Sequence, residues 1–208
     1  MTHPYFTSGN EIDSPQWWRR LCEVTPNLVL SGDLHQEFDR AIQQLEEWRA
    51  FGITHIIDCR GEWSDKELVA ENAPEIVYHD HGTHDSGGNQ SADWYEDGWY
   101  MMTQALLDNP DAKVLVHCHM GVNRAPSLGL FMLFRMGYSP TRALEMIREA
   151  RPIAACFYAD SAWRTYATSV HMPPEFIQAG IHEIDTFFHE HEVNLHDVIH
   201  KIRLVEYA

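Results

Sequence analysis

Hydrophobic and polar positions follow two rhythms along this chain. Short, nearly unbroken apolar runs stand at Asn27–Leu30, Ile53–Asp58, Ile76–His79 and Val114–Val116, with Gly, Pro, Asn or Asp close to most of their ends. Runs of that length read as buried strands. Elsewhere apolar residues recur every three or four positions. Ala41, Ile42, Leu45 and Trp48 mark a helix over Asp39–Ala50, stopped by Gly52. The same period predicts helices over Trp94–Leu107, over the apolar stretch Leu128–Met136 that begins near Arg124, and over Phe157–Ser169. Ser139-Pro140 supplies an N-cap and a first-turn proline for a helix running to Ala150. Strands that alternate with helices imply an α/β fold with a mainly parallel sheet and helices on both faces. In such sheets ligands bind at the carboxyl ends of the strands.

After Met172-Pro173-Pro174 the pattern changes. Ile177, Ile181, Ile184 and Phe188 form one helical stripe; Leu195, Val198, Ile199 and Ile202 form another after Asn194. Two amphipathic helices follow, expected to pack as an added layer on the domain, with a dimer contact or a lid as the alternative. Trp17 and Trp18 are candidate anchors for the N-terminal stretch.

Composition narrows the class. The 208 residues, 44% hydrophobic and 12% aromatic, suffice for one well-buried domain with additions. No apolar stretch is long enough to span a bilayer, and the N-terminus lacks the layout of a signal peptide. A cytoplasmic location is expected, where thiols stay reduced. Thirty-one acidic residues face 15 basic ones, a net charge of -16. Nucleic-acid binders neutralise phosphates with clustered Lys and Arg, so nucleic acid and anionic membrane are not expected partners. No motif specifies an oligomeric state.

The chemistry concentrates in His117-Cys118-His119-Met120-Gly121-Val122-Asn123-Arg124, between the apolar run Val114–Val116 and a helix start. A strand-to-helix turn of this kind directs successive backbone N–H groups inward, and with the helix N-terminus behind them they suit a bound dianion. The same field favours the thiolate of Cys118. Arg124 offers a planar fork for two phosphate oxygens. Nucleophile, anion cradle and clamp thus fall in one loop, with His119, Met120, Gly121, Val122 and Asn123 as the phosphate-binding stretch and His117 as support.

A His-Cys-x-x-Gly-x-x-Arg pattern after a strand resembles the signature of the cysteine-dependent protein tyrosine phosphatases, and the surrounding chain is similar to their dual-specificity branch. Thr25–Gly32 resembles the opening strand of that branch, Phe51–Cys59 its next helix end and strand, and Ile147–Pro152 a later helix. The likeness runs from roughly Glu23 to Ala167. It implies a protein tyrosine phosphatase-like α/β fold, here with extra C-terminal helices. The chain then divides into an N-terminal extension (1–22), a catalytic domain (23–170) and a helical extension (171–208). It also implies a phosphatase that needs no cofactor or metal and acts on phosphorylated protein or peptide.

In that family an aspartic acid upstream of the cysteine protonates the leaving group. His79–Ser86 offers Asp80 and Asp85, both placed after the strand end. Asp85 matches the family spacing better, and Gly82, Gly87 and Gly88 make its segment mobile enough to close over a pocket. The resemblance implies that Cys118 attacks phosphorus, Asp85 acts first as acid and then as base, and Arg124 with the loop N–H groups stabilises the equatorial oxygens. His117 is expected to hold the loop and tune the thiolate through hydrogen bonds.

Two positions modify the picture. Relatives usually carry Ser or Thr after the arginine, where this chain has Ala125, with Ser127 beyond it; slower breakdown of the phosphoenzyme is expected. Cys59 ends the neighbouring strand, where some relatives place a cysteine able to pair with the nucleophile; a buried core thiol is the favoured reading. Cys22 and Cys156 carry no signal.

Rival readings are weaker. His79, His81, His84, Asp80 and Asp85 crowd one segment, yet match no metal-ligand spacing. His182, His189, His191, His196 and His200 fall mostly off the apolar stripes and read as solvated. Asn123-Arg124 resembles the loop of the RNA 5′-triphosphatases, against which the acidity speaks. A phospho-binding module without catalysis has only Ala125 in its favour. No counterpart of the aromatic loop of tyrosine-specific relatives is evident, so phosphotyrosine and phosphoserine/threonine are both expected substrates. The absence of Lys inside the loop argues against inositides.

Overall fold

The computed structural model describes residues 17–206. Five strands, β1 (Cys22–Thr25), β2 (Leu28–Ser31), β3 (Ile53–Arg60), β4 (Val77–Thr83) and β5 (Lys113–His117), form one sheet in the order β1-β2-β5-β3-β4. The β1–β2 pair is antiparallel and the others are parallel. The helices are α1 (Phe38–Phe51), α2 (Lys66–Asn72), α3 (Ala92–Asp108), α4 (Arg124–Arg135), α5 (Pro140–Ala150), α6 (Ala159–Ser169), α7 (Pro174–Glu190) and α8 (Leu195–Glu206).

Strand residues alternate between the two faces, which builds two cores. Leu28, Leu30, Ile57, Val114 and Val116 point to a large core shared with α3 to α7, while Val29, Ile56 and Leu115 face a smaller one made with α1 and α2. The sheet is covered on both sides, so its strands read as continuous apolar runs. Helix α4 is buried along its whole length. It follows the central strand β5 and lies beneath the loop that joins them.

The expected helices form within two residues of their predicted ends, and Ser139 caps α5 through the Arg142 N–H. One strand was expected to end too early. β4 continues past His79 to Thr83, in parallel register with β3 (Ile57 opposite His79, Asp58 opposite Asp80), so His79, Asp80 and His81 lie in the strand and not in a loop. Backbone pairing with β3 outweighs the polar composition there. Strand β1 and the short helix α2, which buries only Val69, had no readable period.

The C-terminal stripes pack as an added layer. Ile184 and Phe187 of α7 join the large core, and Gly180 admits the Trp163 ring where a Cβ would collide with it. Val198 and Ile202 of α8 pack with Trp18, Val122, Ile153 and Ala155. The five C-terminal histidines are exposed. Of the N-terminal extension (1–22), the first sixteen residues lie outside the described ones; Trp18 and Arg19 beyond them are buried. Among the described residues no helix is long and apolar enough to cross a membrane.

Candidate active site

Strand β5 lies between β2 and β3 and delivers Cys118 at its carboxyl end, 3% exposed. The loop that follows is shaped by what its carbonyls bind. The carbonyl of His119 accepts from the Asp33 N–H (3.0 Å) and that of Val122 from the Ala155 N–H (2.6 Å). Between them the carbonyls of Met120 and Gly121 accept from the Arg151 guanidinium, at 3.0 and 2.5 Å. In a planar trans peptide the N–H points opposite to the C=O. The N–H groups of Met120, Gly121, Val122 and Asn123 are therefore turned away from these outer partners, to the inside of the loop. That is a nest of donors for an anion. Gly121 has a φ of +61°, and a Cβ there would collide with Ser31 and Arg151.

Arg151 is the buried outer brace of this loop. Besides the two loop carbonyls it donates to the Trp18 carbonyl (2.6 Å) and to Cys22 Sγ (3.4 Å). Sequence reasoning included it only in a family-like stretch and gave it no role.

Arg124, buried at the start of α4, donates through Nη1 to Glu62 Oε2 (2.7 Å), the Thr83 carbonyl (3.0 Å) and the Cys59 carbonyl (3.5 Å). Burial opposes its charge, but Glu62 and the nearby Cys118 raise its pKa further. Its Nε makes no hydrogen bond among the described residues and lies 3.6 Å from Asp85 Oδ2. Asp85 Oδ1 in turn accepts from Asn123 Nδ2 and from the Tyr158 hydroxyl, both at 2.7 Å. Burial, and then Asp85, push the Tyr158 pKa up. Asp80 points elsewhere: its carboxylate takes the Ser64 hydroxyl (2.5 Å) and the Lys66 ammonium (3.2 Å). Of the two aspartates, Asp85 is brought to the loop.

Asn123 does more than lend a backbone N–H. Its side-chain oxygen accepts from the Phe157 N–H (2.8 Å) while its amide holds Asp85, which ties the acid segment to the chain entering α6. Ala125 is fully buried, and Ser127 Oγ accepts from the Tyr158 N–H at 3.4 Å.

His117 departs from expectation. Its ring is fully buried and, among the described residues, neither nitrogen has a hydrogen-bond partner; Asp58 Oδ1 lies 3.8 Å from Nε2 and the Trp48 ring 5.7 Å away. Its surroundings are thus the Trp48 ring and the Asp58 carboxylate, with no hydrogen bond to the loop among the described residues. Burial holds its pKa below the ordinary value in spite of Asp58.

His119 carries the polar links instead. Its Nδ1 is 2.8 Å from Asp33 Oδ2 and its Nε2 is 3.5 Å from Glu206 Oε1. Burial works against the charged ring, but the two carboxylates prevail and its pKa is pushed up to about 9. Glu62, Tyr158, Asp33 and Glu206 had no sequence signal, because each reaches the loop from a distant part of the chain.

Cys59 is buried and free, as are Cys22, Cys118 and Cys156. Burial, followed by the proximity of Cys118, pushes the Cys59 thiol well above its ordinary pKa.

Comparisons with known proteins agree with this architecture. No protein-family model matches the chain. A curated Drosophila melanogaster protein, PRL-1 phosphatase, is 37% identical over 59 residues, 28% of this chain and 31% of that protein. The chain thus spans about a third of the length of the curated relative it matches. Among solved structures, human DUSP28 aligns with a TM-score of 0.58 and 21% identity, covering 73% of this chain and 95% of that one. A structure of PTPMT1 in complex with PI(5)P aligns with a TM-score of 0.60 and 14% identity, covering 74% and 97%. The chain shares the α/β fold of these phosphatase structures, with extra C-terminal helices.

Proposed function

We propose that this chain is a cysteine-dependent phosphatase that hydrolyses phosphomonoesters, with protein phosphotyrosine and phosphoserine/threonine as its substrates, through a phosphocysteine intermediate. The observation that carries this reading is the convergence of Asp85 and Arg124 on the donor-lined loop that begins at Cys118.

Cys118 Sγ attacks phosphorus in line as the bond to the leaving oxygen breaks, and Asp85 gives that oxygen its proton. Oδ1 of Asp85 is held by Asn123 and Tyr158, which leaves Oδ2 as the proton carrier. Asp85, now a carboxylate, takes a proton from water, and the resulting nucleophile cleaves the S–P bond, releasing phosphate and the thiolate. The N–H groups of Met120 to Asn123 and the Arg124 fork hold the three equatorial oxygens through both steps. Stabilisation of that kind supplies most of the catalysis in phosphoryl transfer.

A phosphoinositide substrate is the competing class, since PTPMT1 is a neighbour in complex with PI(5)P. The loop has no Lys, and both nitrogens of its one basic side chain before Arg124, His119, face carboxylates. Phosphoprotein is therefore the preferred substrate. The reaction needs a reduced Cys118, which fits a cytoplasmic setting. Residues 23–170 are read as the catalytic unit.

Rapid-mixing hydrolysis of an aryl phosphate in EDTA tests the assignment, with Cys118→Ser alongside. A burst of phenol stoichiometric with enzyme, absent in the variant, is expected. Activity that survives in Cys118→Ser would overturn it.

A further inference from the structure

We propose that Glu206, at the end of α8, is a positioning residue of the phosphate site: together with Asp33 it orients His119 and fixes the first turn of the loop, so that the C-terminal helix is a wall of the active site. The inference rests on the phosphatase reading above for its meaning, and on independent geometry for its support.

Helix α8 lies outside the Glu23–Ala167 stretch that carries the family resemblance, yet it touches the loop twice. Its apolar face places Val198 and Ile202 in one hydrophobic cluster with Val122 of the loop and Trp18. Ile202 is fully buried, and the apolar surface it removes from water holds the helix in place. At its far end Glu206 Oε1, with an 11% exposed side chain, lies 3.4 Å from Arg19 Nη2 and 3.5 Å from His119 Nε2.

The groups facing His119 come from four places in the chain. Asp33, after β2, takes Nδ1 and is itself bound by Arg19 Nη2 (3.1 Å) and lies 3.5 Å from Arg60 Nη1 at the end of β3. Glu206 takes Nε2 from α8. The Trp63 ring stands edge-on at 5.1 Å. Cys118 is the neighbour in sequence. Nδ1 is within hydrogen-bond distance of Asp33 Oδ2, and the Glu206 carboxylate 3.5 Å from Nε2 favours a proton there too, so the surroundings favour the imidazolium. His119 is thereby a fixed positive charge beside the nucleophile, and its raised pKa, about 9, agrees with that geometry. Asp33 and, after it, Glu206 extend the pH range over which this charge persists.

The test uses the full chain, the variant Glu206→Gln, the conservative Glu206→Asp, and Glu192→Gln as a control that removes the same charge from the exposed turn before α8. The probe is tungstate, kept dilute enough to remain the monomeric dianion at both pH values and titrated at pH 6 and pH 8.5; His119 is titrated by NMR in parallel. In Glu206→Gln the His119 titration should fall by about one pH unit, as expected when one of two charge partners is lost. Tungstate should bind as well as to wild type, or better, at pH 6, and about threefold more weakly at pH 8.5, because the ring is then largely neutral. Glu206→Asp should recover part of the shift, and Glu192→Gln should match wild type. An unmoved His119 titration, or equal weakening at both pH values, would overturn the proposal. If wild type shows this pH-dependent binding but no hydrolysis of aryl phosphate, the phosphatase reading fails while the role of Glu206 stands. If wild type binds no tungstate at either pH, both fall.

Discussion

Asp85 Oδ2 lies 3.6 Å from Arg124 Nε, whereas its other oxygen is held at 2.7 Å by both Asn123 and Tyr158. The acid segment is thus fastened to the phosphate loop by its own candidate acid. Asp80, five residues earlier, is still in strand β4 and pairs with Ser64 and Lys66. Asp85→Asn should lower kcat about 10²- to 10⁴-fold, the range for loss of general acid catalysis, with Asp80→Asn within about twofold of wild type. Steady-state kinetics of the two variants on an aryl phosphate decide this, and the opposite ranking would reassign the acid.

Tyr158→Phe removes one of the two hydrogen bonds to Asp85 and the acceptor of the Gly87 N–H. A loss of about 1 kcal/mol in stability is expected, from one hydrogen bond to a charged or polar partner. Turnover should drop while KM changes little, since the acid is displaced and the phosphate cradle is intact. A change confined to KM would place Tyr158 on substrate instead.

Ala125 is fully buried, at the position where the family resemblance implies Ser or Thr. Ala125→Ser should raise steady-state turnover and shrink the burst, because a hydroxyl near the departing thiolate speeds breakdown of the phosphocysteine. Stopped-flow traces read both quantities at once. An unchanged or slower rate, in a variant with the wild-type Tm, counts against a rate-limiting second step.

Cys59 has its thiol held protonated by burial, and only the thiolate resolves a sulfenic acid. Mild peroxide should therefore oxidise Cys118 without producing a Cys59–Cys118 cross-link. Peptide mass analysis checks it; a linked peptide in good yield would establish an oxidative lock in place of a core thiol.

The pKa of His119 is raised in the folded state, to about 9 from an ordinary 6.5. The folded state therefore binds its proton more tightly than the unfolded state does. The stability this contributes is complete below about pH 6.5 and is lost as pH rises through 9. The Tm advantage of wild type over His119→Gln should shrink across that window. A constant difference would mean that the imidazolium is not what Asp33 and Glu206 hold.

The local patterns were legible. Helices α1, α3 and α4 to α8 announced themselves through apolar spacing, and the central strand through Val114–Val116. Cys118 and Arg124 could be named because a strand-loop-helix turn brings its own nucleophile, donors and clamp within one short stretch. Strand β4 was cut short at His79 because Asp80 and His81 carry no apolar signal; their place in the sheet comes from the strand's pairing with β3, which no local pattern records. His117 was assigned hydrogen bonds from its place in the motif, yet among the described residues its nitrogens have no hydrogen-bond partner and its ring is buried near Trp48.

The remainder of the site is a matter of long-range contact. Arg151 braces the carbonyls of Met120 and Gly121, Glu62 meets Arg124, Tyr158 holds Asp85, and Asp33 with Glu206 grips His119. Sequence by itself determined the fold class and singled out Cys118 and Arg124 as the proposed nucleophile and clamp, because those depend on periodicity and on neighbours along the chain. Only the tertiary structure decided which aspartate faces the loop, what turns its N–H groups inward and what the last helix touches. Those contacts join residues tens of positions apart. They arise when apolar faces with no sequence relation to one another are buried together, and the polar groups at their edges must then find partners.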